Sequence, residues 1–127
     1  MSSNLRVLVM DDDKGVCRMF ERMLKEVGHD VLTASDPDEA VALYRNNFLS
    51  KNPPDLVILD LYIAGIGSCG VETLAKLRKI NPKVPAILCS GSIYDEAFKS
   101  AVDNGFNAVL SKPFDSLLLS EIIRTLF

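Results

Sequence analysis

Short apolar runs alternate along the chain with longer segments in which apolar residues recur at helical spacing. Uninterrupted apolar runs that are too short for a core helix are typical of strands buried on both faces of a parallel sheet. Apolar residues three and four positions apart indicate amphipathic helices between those strands. The expected strands are residues 5–10, 31–34, 56–59, 86–89 and 108–111, and the expected helices are 14–27, one starting at 37, 71–80, 94–102 and 116–127.

This alternation of five strands with five helices predicts one α/β domain over residues 1–127. A doubly wound, five-stranded parallel sheet with helices on both faces is the simplest architecture for it. Asp13 and Asp36 are the expected N-caps of the first two helices, and Pro37 suits the first helical position after Asp36. Glu39 completes a capping box there.

The apolar spacing also predicts which faces of the last two helices are buried. We expect the fourth helix to bury Ala97, Phe98, Ala101 and Val102. In the last helix we expect Leu118, Ile122 and Leu126 to pack inward.

Composition and charge narrow the class of protein. The formal net charge of -3 gives no electrostatic reason to expect nucleic acid or an anionic membrane surface as a partner. No apolar run approaches the roughly 20 residues of a membrane span, and the first residues lack a secretion signal. Cys17, Cys69 and Cys89 fit no metal-binding spacing and are expected to be free thiols. These features predict a cytoplasmic protein.

Polar side chains stand where four of the five strands end. Asp11 and Asp12 follow the first strand, Asp60 the third, Ser90 the fourth and Lys112 the fifth. The carboxyl ends of parallel strands lie at one edge of the sheet, and ligands of open α/β sheets bind in the crevice beyond that edge. The five side chains are therefore expected to converge.

The chemistry of this group points to phosphoryl transfer. Three neighbouring carboxylates require a cation among them, and hard oxygen ligands suit Mg²⁺, with Mn²⁺ as an alternative. Lys112 and Ser90 add hydrogen-bond donors for phosphoryl oxygens. Because the chain has no glycine-rich nucleotide-binding loop, the group that accepts the phosphate is expected to be part of the protein. Asp60 is the best candidate, since a carboxylate can form an acyl phosphate.

The same residues resemble the receiver domains of bacterial two-component response regulators, and the resemblance covers essentially the whole chain. Its motifs are Asp11-Asp12 after an apolar strand, Pro54-Asp55 leading to Asp60, Ser90 before a small residue, and Lys112-Pro113-Phe114. The resemblance implies the flavodoxin-like receiver fold with strand order 2-1-3-4-5. It also implies a sensor histidine kinase or a histidine phosphotransfer protein as partner, in a monomer or weak dimer.

Roles for single residues follow from the resemblance. Asp60 is implied to be the phospho-acceptor, Asp12 a direct metal ligand and Asp11 a ligand acting through water. The backbone carbonyl of Tyr62 is implied to be a further metal ligand. Ser90 and Lys112 are implied to be the switch hydroxyl and the phosphoryl-binding lysine. No enzymatic activity is expected beyond self-phosphorylation and self-dephosphorylation, unless the chain belongs to a hybrid histidine kinase.

Residues 60–65, 89–91 and 104–106 are similar to receivers fused to hybrid sensor histidine kinases. The loop after Asp60 departs from the family, because Ala64 stands where a proline is usual and residues 63–70 include extra positions. One alternative is a pseudo-receiver that acts as a protein-interaction module without phosphorylation, although such modules usually lose an acid or the lysine. A phosphatase with an aspartyl nucleophile is a weaker alternative, since Tyr62 rather than an acid stands two residues after Asp60.

Overall fold

The computed structural model describes residues 4–91 and 95–127. Its elements in chain order are β1 (Arg6–Met10), α1 (Lys14–Glu26), β2 (Asp30–Ala34), α2 (Pro37–Leu49), β3 (Leu56–Asp60), β4 (Tyr62–Ile63), β5 (Gly67–Ser68), α3 (Gly70–Ile80), β6 (Ala86–Ser90), α4 (Glu96–Lys99), β7 (Ala108–Ser111) and α5 (Ser116–Leu126). None of the helices in these two ranges has both the length and the apolar character needed to cross a membrane.

Five strands form one parallel sheet in the order β2-β1-β3-β6-β7. The two-residue strands β4 and β5 lie outside it and pair with each other as an antiparallel hairpin. When only the sheet strands are numbered, the order is 2-1-3-4-5, so the predicted fold class and strand order are confirmed. The boundaries of the five sheet strands agree with the predicted ones to within one residue.

The central strands are buried on both faces, as their uninterrupted apolar sequences predict. Val57 and Leu59 of β3 belong to one hydrophobic core, which also contains Tyr44 of α2. Ile58 belongs to a second core on the opposite face, which contains Phe20 of α1 and Ile123 of α5. Successive residues of a strand point to opposite faces, so a strand covered on both sides must be apolar throughout.

The helix starts are fixed by side-chain caps. The Asp13 carboxylate accepts hydrogen bonds from the backbone N–H groups of Gly15 and Val16, at 2.8 and 3.2 Å. At α2, the Asp36 carboxylate accepts from the Glu39 N–H at 2.8 Å, while Glu39 accepts from the Ser35 N–H. Both predicted caps are present. Asp11 and Asp12 lie in the short turn between the end of β1 and the cap residue Asp13.

The fourth helix is shorter than predicted. It covers only Glu96–Lys99 and is followed by turns, and its predicted first residue, Tyr94, lies outside the described residues. Ala101 is buried as predicted, but Val102 is 76% exposed, and its predicted burial is wrong. Adjacent side chains point in different directions, and here Ala101 packs in the core while Val102 faces solvent.

The buried face of α5 is displaced from the predicted one. Leu119 and Ile123 are its buried residues, Ile122 and Leu126 are partly buried, and Leu118 is 45% exposed. The prediction for Leu118 is therefore wrong. Leucines occupy three consecutive positions here, so helical spacing alone does not distinguish one apolar face from the next.

Candidate functional site

The sheet places the predicted residues at one edge. Asp11 and Asp12 follow β1, Asp60 ends β3, Ser90 ends β6 and Lys112 follows β7. The strands that carry them are neighbours in the sheet. One carboxylate oxygen from each of the three aspartates lies within 4.8 Å of the others. Asp11, Asp60 and Ser90 are buried, whereas Asp12 is exposed and forms the rim of the cluster.

Lys112 connects the acids. Its Nζ donates to Oδ2 of Asp11 at 2.8 Å and to Oδ2 of Asp60 at 3.3 Å. Burial by itself lowers the pKa of Lys112, but the hydrogen bond to Asp11 and the negative charge of Asp60 raise it above its ordinary value. The lysine is therefore a permanent cation that offsets part of the repulsion between the carboxylates. Its backbone N–H donates to the Ser90 carbonyl at 2.9 Å, which joins the ends of β6 and β7.

The carboxyl of Asp60 has a raised pKa. Burial, and next the charge of Asp11, raise its pKa to about 6. The charge of Lys112 and its hydrogen bond to this carboxylate oppose that rise. At neutral pH the carboxylate is ionised in a place that disfavours its charge, so it attracts a further cation.

This shift predicts a pH dependence of stability in the absence of metal. The carboxyl pKa is about 6 in the folded protein and has its ordinary value of 3.8 in the unfolded chain. Between these values the folded state binds more protons than the unfolded state, so the free energy of unfolding falls as the pH rises. Above that window, ionised Asp60 is expected to lower the free energy of unfolding by on the order of 1 to 2 kcal/mol. This is less than the full pKa shift implies, because water at the rim of the site screens the charge.

Urea unfolding of the wild type and of Asp60→Asn, in the presence of a chelator at a series of pH values, measures this difference. We expect the variant to be the more stable protein at neutral pH and to lose that advantage on acidification through the window. Parallel stability curves for the two proteins would contradict this account of Asp60.

The segment after Asp60 is a tight hairpin, where the sequence predicted only a loop. β4 and β5 pair through Tyr62 with Ser68 and Ile63 with Gly67. Ile63 is buried, and Tyr62 is 59% exposed. The role of the Tyr62 backbone carbonyl as a metal ligand stays a prediction.

Gly70 is a structural requirement of the site that the sequence did not single out. A Cβ atom at this position would lie 2.9 Å from the backbone oxygen of Asp60 and 3.0 Å from Cα of Leu61. Its N–H and that of Cys69 both donate to the Leu61 carbonyl, at 3.1 and 2.8 Å. Glycine is therefore needed for α3 to start against the end of β3. In the sequence, Gly70 is one of three glycines in the loop, and nothing distinguishes it as the one that contacts a neighbouring backbone.

Cys17 also touches the site, and the sequence did not predict this contact. Its thiol donates to the backbone carbonyl of Asp11, with the sulfur at 3.3 Å. Burial, with the nearby charge of Asp11, raises the pKa of this thiol to about 11. At neutral pH Cys17 is therefore a protonated packing residue rather than a nucleophile.

The donor set fits a hard divalent cation. Asp11, Asp12 and Asp60 supply only oxygen ligands, which Mg²⁺ prefers, and they carry more negative charge than Lys112 offsets. The described part of the site contains the acid cluster, the lysine and a buried serine that a phosphoryl site requires. The arrangement can hold a cation beside Asp60 and present a charged donor to a group attached there.

Comparison with known proteins identifies the family. The response regulator receiver domain family matches residues 7–124. The nitrogen assimilation regulatory protein NtrX of Azorhizobium caulinodans is 27% identical over 110 residues, which make up 87% of this chain and 23% of NtrX. The transcription factor SKN7 of Chaetomium thermophilum is 31% identical over 119 residues, which make up 94% of this chain and 15% of SKN7.

A solved receiver domain protein of Methanospirillum hungatei shares the fold, with a TM-score of 0.83 and 25% identity over 97% of this chain and 93% of that one. The chain spans less than a quarter of the length of the two curated relatives. The family match extends over nearly all of the chain, and it agrees with the strand order and with the resemblance found from the sequence. The chain therefore belongs to the response regulator receiver domains of two-component signalling systems.

Proposed function

We propose that Asp60 is the residue that accepts the phosphoryl group in this receiver, in a reaction that depends on Mg²⁺. The observation that carries the proposal is the position of the Asp60 carboxylate, which lies within 4.8 Å of a carboxylate oxygen from each of two further aspartates and 3.3 Å from the Nζ of Lys112. Phosphoryl transfer needs a nucleophile, a metal and a positive charge held in place. Asp60 is the buried nucleophile, Asp11 and Asp12 can bind the metal, and Lys112 supplies the fixed positive charge.

The donor is proposed to be a phosphohistidine of a sensor histidine kinase or of a histidine phosphotransfer protein. An oxygen of Asp60 attacks the phosphorus, the P–N bond to the imidazole breaks, and the imidazole leaves with the bonding electron pair. The product is an acyl phosphate on Asp60. Lys112 already bonds to Asp60 Oδ2, so its ammonium group is placed to follow the charge onto the phosphoryl oxygens.

The metal is proposed to be held by Asp12 directly, by Asp11 through water, by Asp60 and by the Tyr62 carbonyl. When bound, Mg²⁺ supplies positive charge that offsets the charge of the transferring group. Ser90, buried at the end of β6 beside β3, is proposed to donate to the phosphoryl group and to report its presence. A pseudo-receiver is not favoured, because the acids and the lysine are all present and adjacent.

We also propose that residues 1–127 act as a single domain in the cytoplasm, as a monomer or weak dimer. Cys17, Cys69 and Cys89 are free thiols, which suits a reducing compartment. A place within a hybrid histidine kinase is one proposal for the surrounding protein, supported by the similarity of residues 60–65 to such receivers.

Treatment with acetyl phosphate tests the metal-dependent reaction. We expect intact-mass measurement to show one added phosphoryl group in the presence of Mg²⁺ and little or none with a chelator. Absence of uptake with Mg²⁺ would exclude the phosphoacceptor role for the isolated domain. Equal uptake with the chelator would exclude the role of the metal.

A further inference from the structure

The hairpin of residues 62–68 is tied to the acid cluster by a backbone hydrogen bond. The backbone N–H of Ala64 donates to Oδ2 of Asp12 at 3.2 Å. Within the described ranges, this is the only hydrogen bond made by the Asp12 side chain. The exposed acid at the rim of the site is therefore held by the backbone of a residue 52 positions away.

The turn that presents this N–H has a defined geometry. Ile66 N–H donates to the Ile63 carbonyl at 3.0 Å, which closes a four-residue turn with Ala64 and Gly65 at its centre. Gly65 has a φ of +84°, and Ala64 is not among the residues with positive φ. These are the marks of a type II turn, which favours proline at the position of Ala64. The backbone there suits proline, the residue usual in the family, and the alanine of this chain adds one N–H group.

We propose that the Ala64 N–H orients the Asp12 carboxylate for the divalent cation, so that Ala64 is a positioning residue of this receiver. This inference rests on the proposed function, in which Asp12 is a direct metal ligand. The N–H occupies one lone pair of Oδ2 and leaves the other carboxylate oxygen available to the cation. With this bond in place, one carboxylate oxygen from each of the three acids already lies within 4.8 Å of the others.

The physical basis is pre-organisation. An exposed aspartate on a short turn samples several side-chain rotamers, and fixing one of them on binding costs conformational entropy. A ligand already held in its binding orientation avoids most of that cost. The hydrogen bond is also assisted by the charge of the carboxylate, which makes it stronger than one between neutral groups.

Substitution Ala64→Pro tests this directly, because it deletes one N–H and suits the turn. Ala64→Ser is the matched control, since it alters the side chain and keeps the N–H. We expect Mg²⁺ titration followed by NMR, with no phosphodonor, to give an affinity about three- to tenfold weaker for Ala64→Pro, which corresponds to the entropic cost of ordering one side chain on binding. Ala64→Ser is expected to match the wild type, and the thermal stability of Ala64→Pro is expected to be no lower than that of the wild type.

The outcomes separate the inference from the proposed function. Equal Mg²⁺ affinity in the proline and serine variants would overturn the positioning role and leave the metal site in place. Failure of the wild type to bind Mg²⁺ would overturn both. A metal-free readout is amide hydrogen exchange at Ala64, which is expected to be faster in Asp12→Ala than in the wild type. Unchanged exchange there would also overturn the inference.

Discussion

Replacement of Asp60 by asparagine is expected to abolish phosphoryl uptake from acetyl phosphate. The carboxamide of asparagine has nearly the same shape as the carboxylate but is a far weaker nucleophile, and it offers no negative oxygen for an acyl phosphate. The two remaining acids are expected to serve the metal rather than to accept the phosphoryl group, and in the structure Asp11 bonds to Lys112 and Asp12 to the hairpin. Intact-mass measurement in the presence of Mg²⁺ is therefore expected to show no added phosphate on the variant.

Asp55→Asn is the matched control for this experiment. Asp55 precedes the same strand at its opposite end, where its carboxylate accepts from the Arg6 N–H at 2.9 Å. The substitution removes the same charge from the residue just before β3 without touching the acid cluster. The control is expected to take up phosphate as the wild type does, and uptake by Asp60→Asn at the control level would contradict the role of Asp60.

Substitution Lys112→Ala is expected to slow phosphate uptake and to strengthen binding of Mg²⁺. Among the described residues, Lys112 is the only cation in contact with Asp11 and Asp60. A hydrogen bond to a charged group contributes about 1.5 to 3 kcal/mol, so its loss in the reaction corresponds to roughly a 10- to 100-fold slower uptake at saturating metal. The same substitution removes a positive charge that competes with the divalent cation for the carboxylates.

Slower phosphate uptake together with stronger Mg²⁺ binding distinguishes the role assigned to Lys112 from a general loss of structure. Lys83→Ala removes the same charge from an exposed position between α3 and β6 and serves as the control. It is expected to change neither quantity. The role assigned to Lys112 would be wrong if its removal left the rate of uptake unchanged, or if it weakened Mg²⁺ binding.

Local signals made the fold and the strand-end cluster predictable. Apolar runs such as residues 56–59 are explained only by burial on both faces, and Asp36 followed by Pro37 marks a helix start by its own chemistry. Once the strands are taken as parallel, the residues that follow them must share an edge. The positions of Asp60 and Lys112 relative to each other therefore follow from topology rather than from any single motif.

The parts that escaped prediction depend on contacts that a sequence does not encode locally. Gly70 is required by a backbone atom of Asp60, and the hydrogen bond to Asp12 comes from a backbone N–H that nearly every residue type possesses. Val102 and Leu118 were misplaced because adjacent apolar residues offer a helix or a turn more than one face to bury. In each case contacts between distant parts of the chain, rather than the local sequence, decide which residue is buried, required or hydrogen-bonded.

Locating the phosphoryl group tests the assignment of Asp60 most directly. After treatment with acetyl phosphate and Mg²⁺, reduction by borohydride converts an aspartyl phosphate to an alcohol, and tandem mass spectrometry of the peptides identifies the modified residue. We expect the modification to lie on Asp60. Modification of any other residue, or of none, would contradict it.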